Sequence, residues 1–375
     1  MRGVVSALVV LVLLLACAEA FAIADELGLI VFMEQEVEIL RNGEVIPPQQ
    51  VYIGSVIENY DLLRTNQSGN AEVQITSPRS PEVTVKIAPN TSFSFEVGTL
   101  GGKKTTTLGM ISGSVSLRVQ KMTADRKLEV KSESATMGVR GTGFDVTTSP
   151  GGELLITCEE GSVSCQDESG RELIAEPGKA VEKTPGELFR TIPVAVSELR
   201  GFKSNWYAER ITAFKANALR AIRYYASRYL EFRREFLKSY QALQGKQALL
   251  NKWIQEDQRG TMGSRMEMLK EKRELIGQLL RIRKVLFLFE RIYFRLQELR
   301  DYYRQGFGEG TISPAFTTGE FFRSFESDRA ELLRMMARVR YFIKLFALRN
   351  QGSFPADFSE EGEEDLQEED EGFSF

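Results

Sequence analysis

Residues 25–190 alternate between apolar and polar positions over short runs, such as those at 71–76 and 82–87. Alternation with a period of two places every second side chain on the same face of a β-strand. Clusters of Gly, Pro, Asn and Ser separate the runs at intervals of about 8 to 12 residues, which is typical of β-sandwiches, barrels and short β-solenoids. The pattern therefore predicts an all-β module over 25–190, with Asn42 and Gly43 at one hairpin turn.

The apolar positions change to a heptad period after a linker at 184–196. Three segments between residues 197 and 350 carry apolar residues at alternating spacings of four and three, which is typical of packed, supercoiled helices. The main rows are Ile211, Ala218, Tyr225 and Phe232; Ile222, Tyr229, Phe236 and Leu243; Met268, Leu275, Ile282, Phe289, Leu296 and Tyr303; and Phe325, Leu332, Val339 and Phe346.

Glycine-rich breaks separate these helical segments, so the sequence predicts an up-down-up, coiled-coil-like three-helix bundle over 197–350. Residues 246–256 are a candidate for a short additional helix. Thr317 and Glu320 have the spacing of a capping box at the start of the third long helix. The predicted fold class is therefore a multidomain α+β protein, with the β module before the helices.

Charge is strongly segregated along the chain, although the formal net charge of all 375 residues is only −4. Residues 21–199 include 16 basic and 25 acidic side chains, whereas residues 200–350 include 31 basic and 16 acidic ones. We interpret the basic excess either as a solvated helix face or as a surface for anionic lipid headgroups or cell-wall polymers. Residues 351–375 include 10 acidic side chains and no basic one, which predicts a disordered tail. Our hypothesis is that this tail folds back on the basic helices and screens them.

Histidine is absent from the whole sequence. Its absence removes the usual general base, the Ser-His and Cys-His nucleophile pairs, and the commonest metal ligand. We therefore predict that the protein is not an enzyme and has no catalytic residue, metal site or cofactor.

Cys158 and Cys165 flank four residues, Glu-Glu-Gly-Ser, that we interpret as a hairpin connection between two strands. In such a hairpin both sulfurs would lie on one face, which predicts a cross-strand disulfide. The alternative is a pair of buried thiols, since free cysteine is among the most buried residue types. The spacing leaves both alternatives open.

The segment 134–146 reads Ser-Ala-Thr-Met-Gly-Val-Arg-Gly-Thr-Gly-Phe-Asp-Val, and its closely spaced glycines predict a sharp turn between two strands. It resembles the signature of the FecR-like domain, the periplasmic domain of iron-dicitrate sensor regulators. The matching signature residues are Gly138, Val139, Arg140, Gly141, Thr142 and Phe144. We expect them to be structural. Arg140 either ties neighbouring turns to carbonyl groups or to Asp145, or it contacts an anionic partner.

Looser elements of the same family occur in the expected order across roughly residues 50–182. The resemblance implies a β module outside the cytoplasm that serves in binding or signalling. Regulators of this family place a sigma-factor-binding segment and a membrane helix before the domain, and a small α/β domain after it. Here about 20 residues precede the module and helices follow it, so we do not expect direct control of a sigma factor.

Residues 1–20 have the pattern of a secretory signal, with Arg2 followed by apolar and small residues from 4 to 15. Cleavage after Ala20 would leave a soluble mature chain. The segment before Cys17 resembles a bacterial lipobox, which would instead place a lipid on that cysteine. Both alternatives put the mature protein in the periplasm or outer envelope, and no later apolar run is long enough to span a bilayer.

The sequence thus favours a non-enzymatic bacterial envelope protein whose β module binds or scaffolds an envelope protein or a cell-wall polymer. The helices would then provide reach, self-association or peripheral contact with the membrane, and secretion excludes a nucleic-acid partner. The alternative is a component of an envelope-to-cytoplasm signal relay of the iron-dicitrate type.

Overall fold

The computed structural model describes residues 26–350 except 101, 102, 121, 124, 140 and 315, together with residues 352, 354 and 355. The predicted signal at 1–20, including Cys17, lies outside the described residues. The same is true of Arg140 and of most of the acidic tail.

The strands before the long helices form two sheets of nine strands each. Sheet A contains, in spatial order, β18 (Arg190–Pro193), β17 (Lys179–Lys183), β14 (Leu154–Glu160), β13 (Gly143–Thr148), β10 (Ser114–Val119), β7 (Val83–Ile87), β6 (Asn70–Ile75), β1 (Glu26–Glu34) and β4 (Val56–Glu58). Sheet B contains β16 (Glu172–Ala175), β15 (Val163–Asp167), β12 (Ala135–Val139), β11 (Arg126–Lys131), β9 (Lys103–Ser112), β8 (Ser92–Leu100), β5 (Leu62–Thr65), β2 (Val37–Arg41) and β3 (Glu44–Ile46). Neighbouring strands are antiparallel except for the parallel pair of β9 and β11.

The two sheets enclose one hydrophobic core. In β6 the side chains of Ala71, Val73 and Ile75 are buried while those between them are partly exposed, so the predicted alternation is confirmed. The rings of Phe93 and Phe95 in sheet B join the same cluster as these sheet A residues. The predicted all-β module is therefore present and has the arrangement of a sandwich.

The chain passes repeatedly between the two sheets, so that consecutive strands often lie on opposite sides of the core. The predicted turn at Asn42 and Gly43 is confirmed between β2 and β3, where φ is 50° and 83°. Positive φ at both central residues gives the twist that a tight antiparallel hairpin needs.

The described residues after the sandwich form five α-helices: α1 (Leu199–Ala216), α2 (Ala218–Gln244), α3 (Gln247–Gln258), α4 (Arg265–Arg304) and α5 (Thr318–Arg349). A small hairpin of β19 (Thr311–Ser313) and β20 (Phe316–Thr317) precedes α5, and two short 3-10 helices occupy Pro48–Gln50 and Val196–Glu198. The capping box predicted at Thr317 and Glu320 is confirmed, and α3 confirms the short additional helix. None of the helices in this part of the chain is both long and apolar enough to cross a membrane.

The predicted three-helix bundle is not confirmed. The first predicted helix is divided into α1 and α2, because the backbone leaves the helical conformation at Asn217, where φ is −126° and ψ is 23°. The heptad rows do identify most of the buried residues, such as Phe236 in α2 and Val339 in α5. Ile211 at the start of the first row lies in α1 and is only partly buried.

Helices α4 and α5 pack against the outer face of sheet B, which the sequence did not predict. Leu40 of β2 and Leu62 of β5 point away from the sandwich core and belong to the hydrophobic cluster of the helices. The consecutive residues 289–297 of α4 are all buried. Successive side chains of a helix point about 100° apart, so this part of α4 is enclosed on every side.

Polar contacts also join α4 and α5 to both sheets, since Glu96 lies in sheet B whereas Thr148 and Glu58 lie in sheet A. They are Arg283 Nη2 to Glu96 Oε1 at 2.9 Å, Arg295 Nη2 to Thr148 Oγ1 at 3.0 Å, and Lys344 Nζ to Glu58 Oε2 at 2.7 Å. Each contact connects a helix to a strand or turn of the sandwich. The helical region and the sandwich therefore share one extensive, partly polar interface.

Arg64 of β5 lies at the centre of this interface. Its guanidinium donates to Glu38 Oε1 at 3.2 Å and to the side chain of Gln297 in α4, and it lies 4.7 Å from the ring centroid of Phe294. Burial lowers the pKa of this guanidinium, an effect that the neighbouring Glu38 opposes. Arg64 thus combines an ion pair, a hydrogen bond and a cation–π contact where sheet B meets α4.

The Arg64→Met substitution should reduce the free energy of unfolding by roughly 2 to 4 kcal/mol, because it leaves Glu38 and Gln297 without their partner in a desolvated site. Urea denaturation followed by circular dichroism measures this loss. Arg118→Met is a matched control at an exposed arginine of sheet A, and it should change the stability by no more than about 0.5 kcal/mol. Equal midpoints for the two variants would contradict this role of Arg64.

Candidate functional site

The signature segment crosses from one sheet to the other. Gly138 and Val139 end β12 in sheet B, and Gly143 begins β13 in sheet A. Gly141 in the connecting turn has φ of 64°, a conformation that L side chains rarely adopt. The sharp turn predicted from the glycines is therefore confirmed.

The apolar residues of the signature serve the core. Val139 and Phe144 are buried in the cluster between the sheets. Thr142 is buried against the turn at Gly161, where an added Cβ would lie 2.5 Å from Thr142 Cγ2. Val139, Thr142 and Phe144 therefore pack in the core or against a turn, and the structural role expected of the whole signature stays a prediction.

Gly138 and Gly143 differ from the glycine of the turn, because neither requires a left-handed backbone conformation. A Cβ added to either would meet no heavy atom within 4 Å. Gly143 lies on the outer face of sheet A, whereas Gly138 is on the outer face of sheet B. The space above Gly143 is part of a groove.

This groove encloses about 410 Å³ on the outer face of sheet A. Its floor comes from β7, β10 and β13, and one wall comes from the first turn of α1. Its lining residues are Glu72, Thr84, Lys86, Ser116, Leu117, Arg118, Gly143, Phe144, Asp145, Glu159, Arg200 and Lys203. The signature strand β13 therefore contributes directly to the groove.

Strand register explains how these distant residues meet. Glu72 of β6 lies opposite Lys86 of β7, Lys86 lies opposite Ser116 of β10, and Ser116 lies opposite Asp145 of β13. Residues directly opposite one another on antiparallel strands share a face and are within contact distance. A row of polar side chains consequently crosses the open part of sheet A, and it ends at Thr157 of β14.

Asp145 is the most highly connected carboxylate of the groove. It accepts hydrogen bonds from Ser116 and Lys203, and from Thr157 Oγ1 at 3.2 Å. The Lys203 ammonium also lies 3.6 Å from Glu159 Oε1. Asp145 is thus fully partnered, and its contacts attach α1 to the sheet.

Helix α1 is held in place by a second carboxylate next to the groove. Glu182 of β17 is fully buried and accepts hydrogen bonds from Trp206 Nε1 at 2.6 Å and Arg190 Nε at 2.5 Å. Trp206 also packs with Leu155 and Ala180 on the outer face of sheet A. These contacts cover the β14–β17–β18 end of that face and leave the remainder open.

Arg118 and Arg200 supply positive charge to the groove that is available to a partner. Both are exposed, and neither forms an ion pair with any residue that the structure describes. Lys86 is also largely exposed, with Glu72 Oε2 at 3.5 Å. Guanidinium groups bind carboxylates and phosphates in a bidentate manner, so the groove is suited to an acidic segment of a partner.

An apolar surface adjoins the charged groove. Leu29 and Phe32 of β1 lie opposite Gln74 and Glu72 of β6, and they are 37% and 44% exposed. The exposed side chains of Val31, Tyr52 and Ile53 extend this patch along the edge of the sheet. A contiguous apolar patch bordered by charged residues is typical of a protein-interaction surface.

The hairpin predicted between Cys158 and Cys165 is wrong. Cys158 lies in β14 of sheet A and Cys165 in β15 of sheet B, because the turn at Gly161 carries the chain across the edge of the sandwich. Both are buried free thiols in this structure. Burial raises the pKa of Cys158 to about 11 and that of Cys165 to about 12. Of the two alternatives, the pair of buried thiols fits this structure, and a disulfide stays the competing prediction.

The exposed guanidinium groups of the groove suit it to binding an acidic group. Within the described ranges, no three His, Cys, Asp or Glu side chains are grouped so that they could hold a metal ion. Of the signature residues, the groove includes Phe144, and it adds residues that sequence reasoning did not select. The alternation along each strand predicts that these side chains face outward. It does not predict which strands are neighbours in the sheet, and so it does not predict that these residues meet.

A comparison with family models matches residues 61–164 to the family described as FecR protein. The match begins immediately before β5 and ends within β15, so β1–β4 and all five helices lie outside it. The chain therefore carries a FecR domain, which confirms the resemblance seen in the sequence. The groove is built largely from the matched strands β7, β10, β13 and β14.

Two crystal structures of a "putative anti-sigma factor" from Parabacteroides distasonis ATCC 8503 are similar to part of the chain. Each is 13% identical with a TM-score of 0.31, over 38% and 37% of this chain. The aligned parts cover 63% and 62% of those proteins, which is less than two thirds of their length. No curated protein matches this chain.

We expect both thiols to resist alkylation by iodoacetamide in the folded protein, because they are buried and their raised pKa values leave almost no thiolate at pH 8. Both should react in denaturant without a reductant, as peptide mass spectrometry would show. Exposed thiols would react before denaturation. A disulfide would instead prevent alkylation in denaturant until reductant is added.

Proposed function

We propose that this protein is a non-enzymatic regulator in a signal relay of the bacterial envelope. Its FecR domain binds a partner protein on the open face of sheet A, and the bound state is passed on through the helices. The observation that carries the proposal is the FecR match at 61–164, whose signature strand forms part of the groove floor. Secretion to the periplasm or outer envelope belongs to the same proposal.

The packing of the helices favours a relay over a scaffold. A scaffold that uses its helices for reach or self-association needs a free apolar seam. Here most residues of the heptad rows are buried among the helices and against sheet B. The helical region is therefore better suited to respond to the sandwich than to extend away from it.

Helix α1 provides a physical route for such a response. Lys203 contacts Asp145 in the groove, and Trp206 on the next turn of the same helix is held by Glu182. A partner that competes for Asp145 would release Lys203 and alter the contacts of α1 with the sheet. Binding on the sandwich would thereby change the contacts and the position of a helix. A relay requires such a difference in contacts between the free and the bound state.

The partner's chemistry follows from the open surface. Arg118 and Arg200 favour acidic side chains, and the patch at Leu29 and Phe32 favours apolar ones. We propose as partner an envelope segment of a membrane-spanning regulator that carries acidic residues next to apolar ones. A cell-wall polymer lacks the apolar component.

The test is site-specific photo-crosslinking in cells that produce the tagged protein. A photoreactive phenylalanine analogue replaces Lys86 at the edge of the groove, or Ile174 at an exposed control position in β16. We expect the probe at 86 to capture an integral membrane protein that the probe at 174 does not capture. Mass spectrometry identifies the captured protein.

Two glycine variants make the experiment specific for the groove. Gly143→Val fills the open space on its floor and should reduce capture several-fold, whereas Gly138→Val changes the equivalent open position on sheet B and should leave capture unchanged. Capture of other copies of the chain, of cell-wall polymer, or of the same proteins from both positions would contradict the relay proposal.

A further inference from the structure

The described chain ends in a fixed position beside α4. Phe354 is buried, with its ring centroid 5.1 Å from that of Phe346 in α5. The Arg283 guanidinium of α4 lies 4.6 Å from the same ring. Residues 356–375, which carry all ten acidic side chains of the predicted tail, therefore begin next to the middle of α4.

The solvent-facing side of α4 carries a stripe of four exposed cations, Lys270, Arg273, Arg281 and Lys284, which we call the α4 stripe. Their spacing of three, eight and three residues keeps them on one side of a helix with 3.6 residues per turn. The stripe is about 21 Å long at ~1.5 Å per residue. Arg283, which contacts Phe354, is adjacent to its end.

Acidic residues near the α4 stripe are already engaged elsewhere. Glu274 on the same helix accepts from Lys246 at 2.9 Å, and Glu267 accepts from Lys252. Lys270, Arg281 and Lys284 form no ion pair within the residues that the structure describes. The stripe is thus a concentrated positive surface beside the point where a strongly acidic segment begins.

We propose that the acidic segment 356–375 docks on the α4 stripe of its own chain. Twenty residues extend up to about 66 Å at ~3.3 Å per residue. The segment is therefore much longer than the stripe and can reach each of its cations. Attachment at Phe354 keeps the acidic residues close and raises their effective concentration at the stripe. The docked segment shields the stripe from external polyanions. This inference does not depend on the proposed function of the groove.

Zero-length crosslinking of the full chain with a carbodiimide tests the proposal, since this reagent joins a lysine amine to a carboxylate with loss of water. Peptide mass spectrometry at low salt should find Lys270 and Lys284 joined to residues of 356–375. Lys86 is an internal control, because it is exposed on the distant face of sheet A. A mixture of isotopically labelled and unlabelled chains distinguishes links within one chain from links between chains.

A charge-reversal pair gives the matched control. Arg281→Glu on the stripe should reduce the crosslinks several-fold, while Arg220→Glu at an exposed position of α2 should leave them unchanged. Added salt at about 1 M should also reduce them, because the Debye length falls to about 3 Å. Links distributed equally to Lys86, links only between chains, or no difference between the two variants would overturn the proposal.

Discussion

The enclosure of α4 between sheet B and the other helices determines which surfaces of this protein remain available. A helix buried over residues 289–297 needs a neighbour on every side, and sheet B supplies one of them. The contacts of Arg64 with Gln297 and Phe294 fix the register of this packing. Because α4 and α5 cover the part of the outer face of sheet B around β2, β5 and β9, the open surfaces of the sandwich are the remainder of that face and the corresponding face of sheet A.

Helix α1 then sets the limit of that open surface. Its Trp206 covers one end of sheet A through Glu182, and its Lys203 reaches the groove through Asp145. The carboxylate of Asp145 accepts hydrogen bonds from three different strands and helices. A carboxylate with that many donors stabilises the contact between elements and is poorly placed to act as a general base. The geometry of the groove therefore agrees with a role in binding.

Local sequence patterns predicted the elements but not their partners. Alternation identified strands such as β6, and heptad rows identified the buried sides of α2 and α5, since both depend on neighbouring residues alone. Sheet membership depends on hydrogen bonds between distant segments, and this is why Cys158 and Cys165 were wrongly placed in one hairpin. The heptad rows likewise could not indicate that α4 would also pack against a sheet.

The groove likewise combines features that neighbouring residues determine with features that depend on the pairing of distant strands. Glu72, Lys86, Ser116 and Asp145 occupy outward positions that alternation predicts, yet their proximity depends on the strand order β6-β7-β10-β13. The sequence does not identify Arg118 as a groove residue. Its place in the groove depends on the neighbouring strand, where the opposite residue, Gly143, has no side chain.

The segment 139–144 contains residues required by the backbone, residues required by the core, and one glycine, Gly143, that leaves the surface open. Gly141 is needed for its positive φ, and Val139 and Phe144 are needed for the core. Gly143 meets neither requirement, since its conformation is open to other residues and its Cβ position is empty. A larger side chain there would occupy the groove between Arg118 and Asp145. The same short segment that carries the chain from sheet B to sheet A thus also keeps the floor of the groove flat.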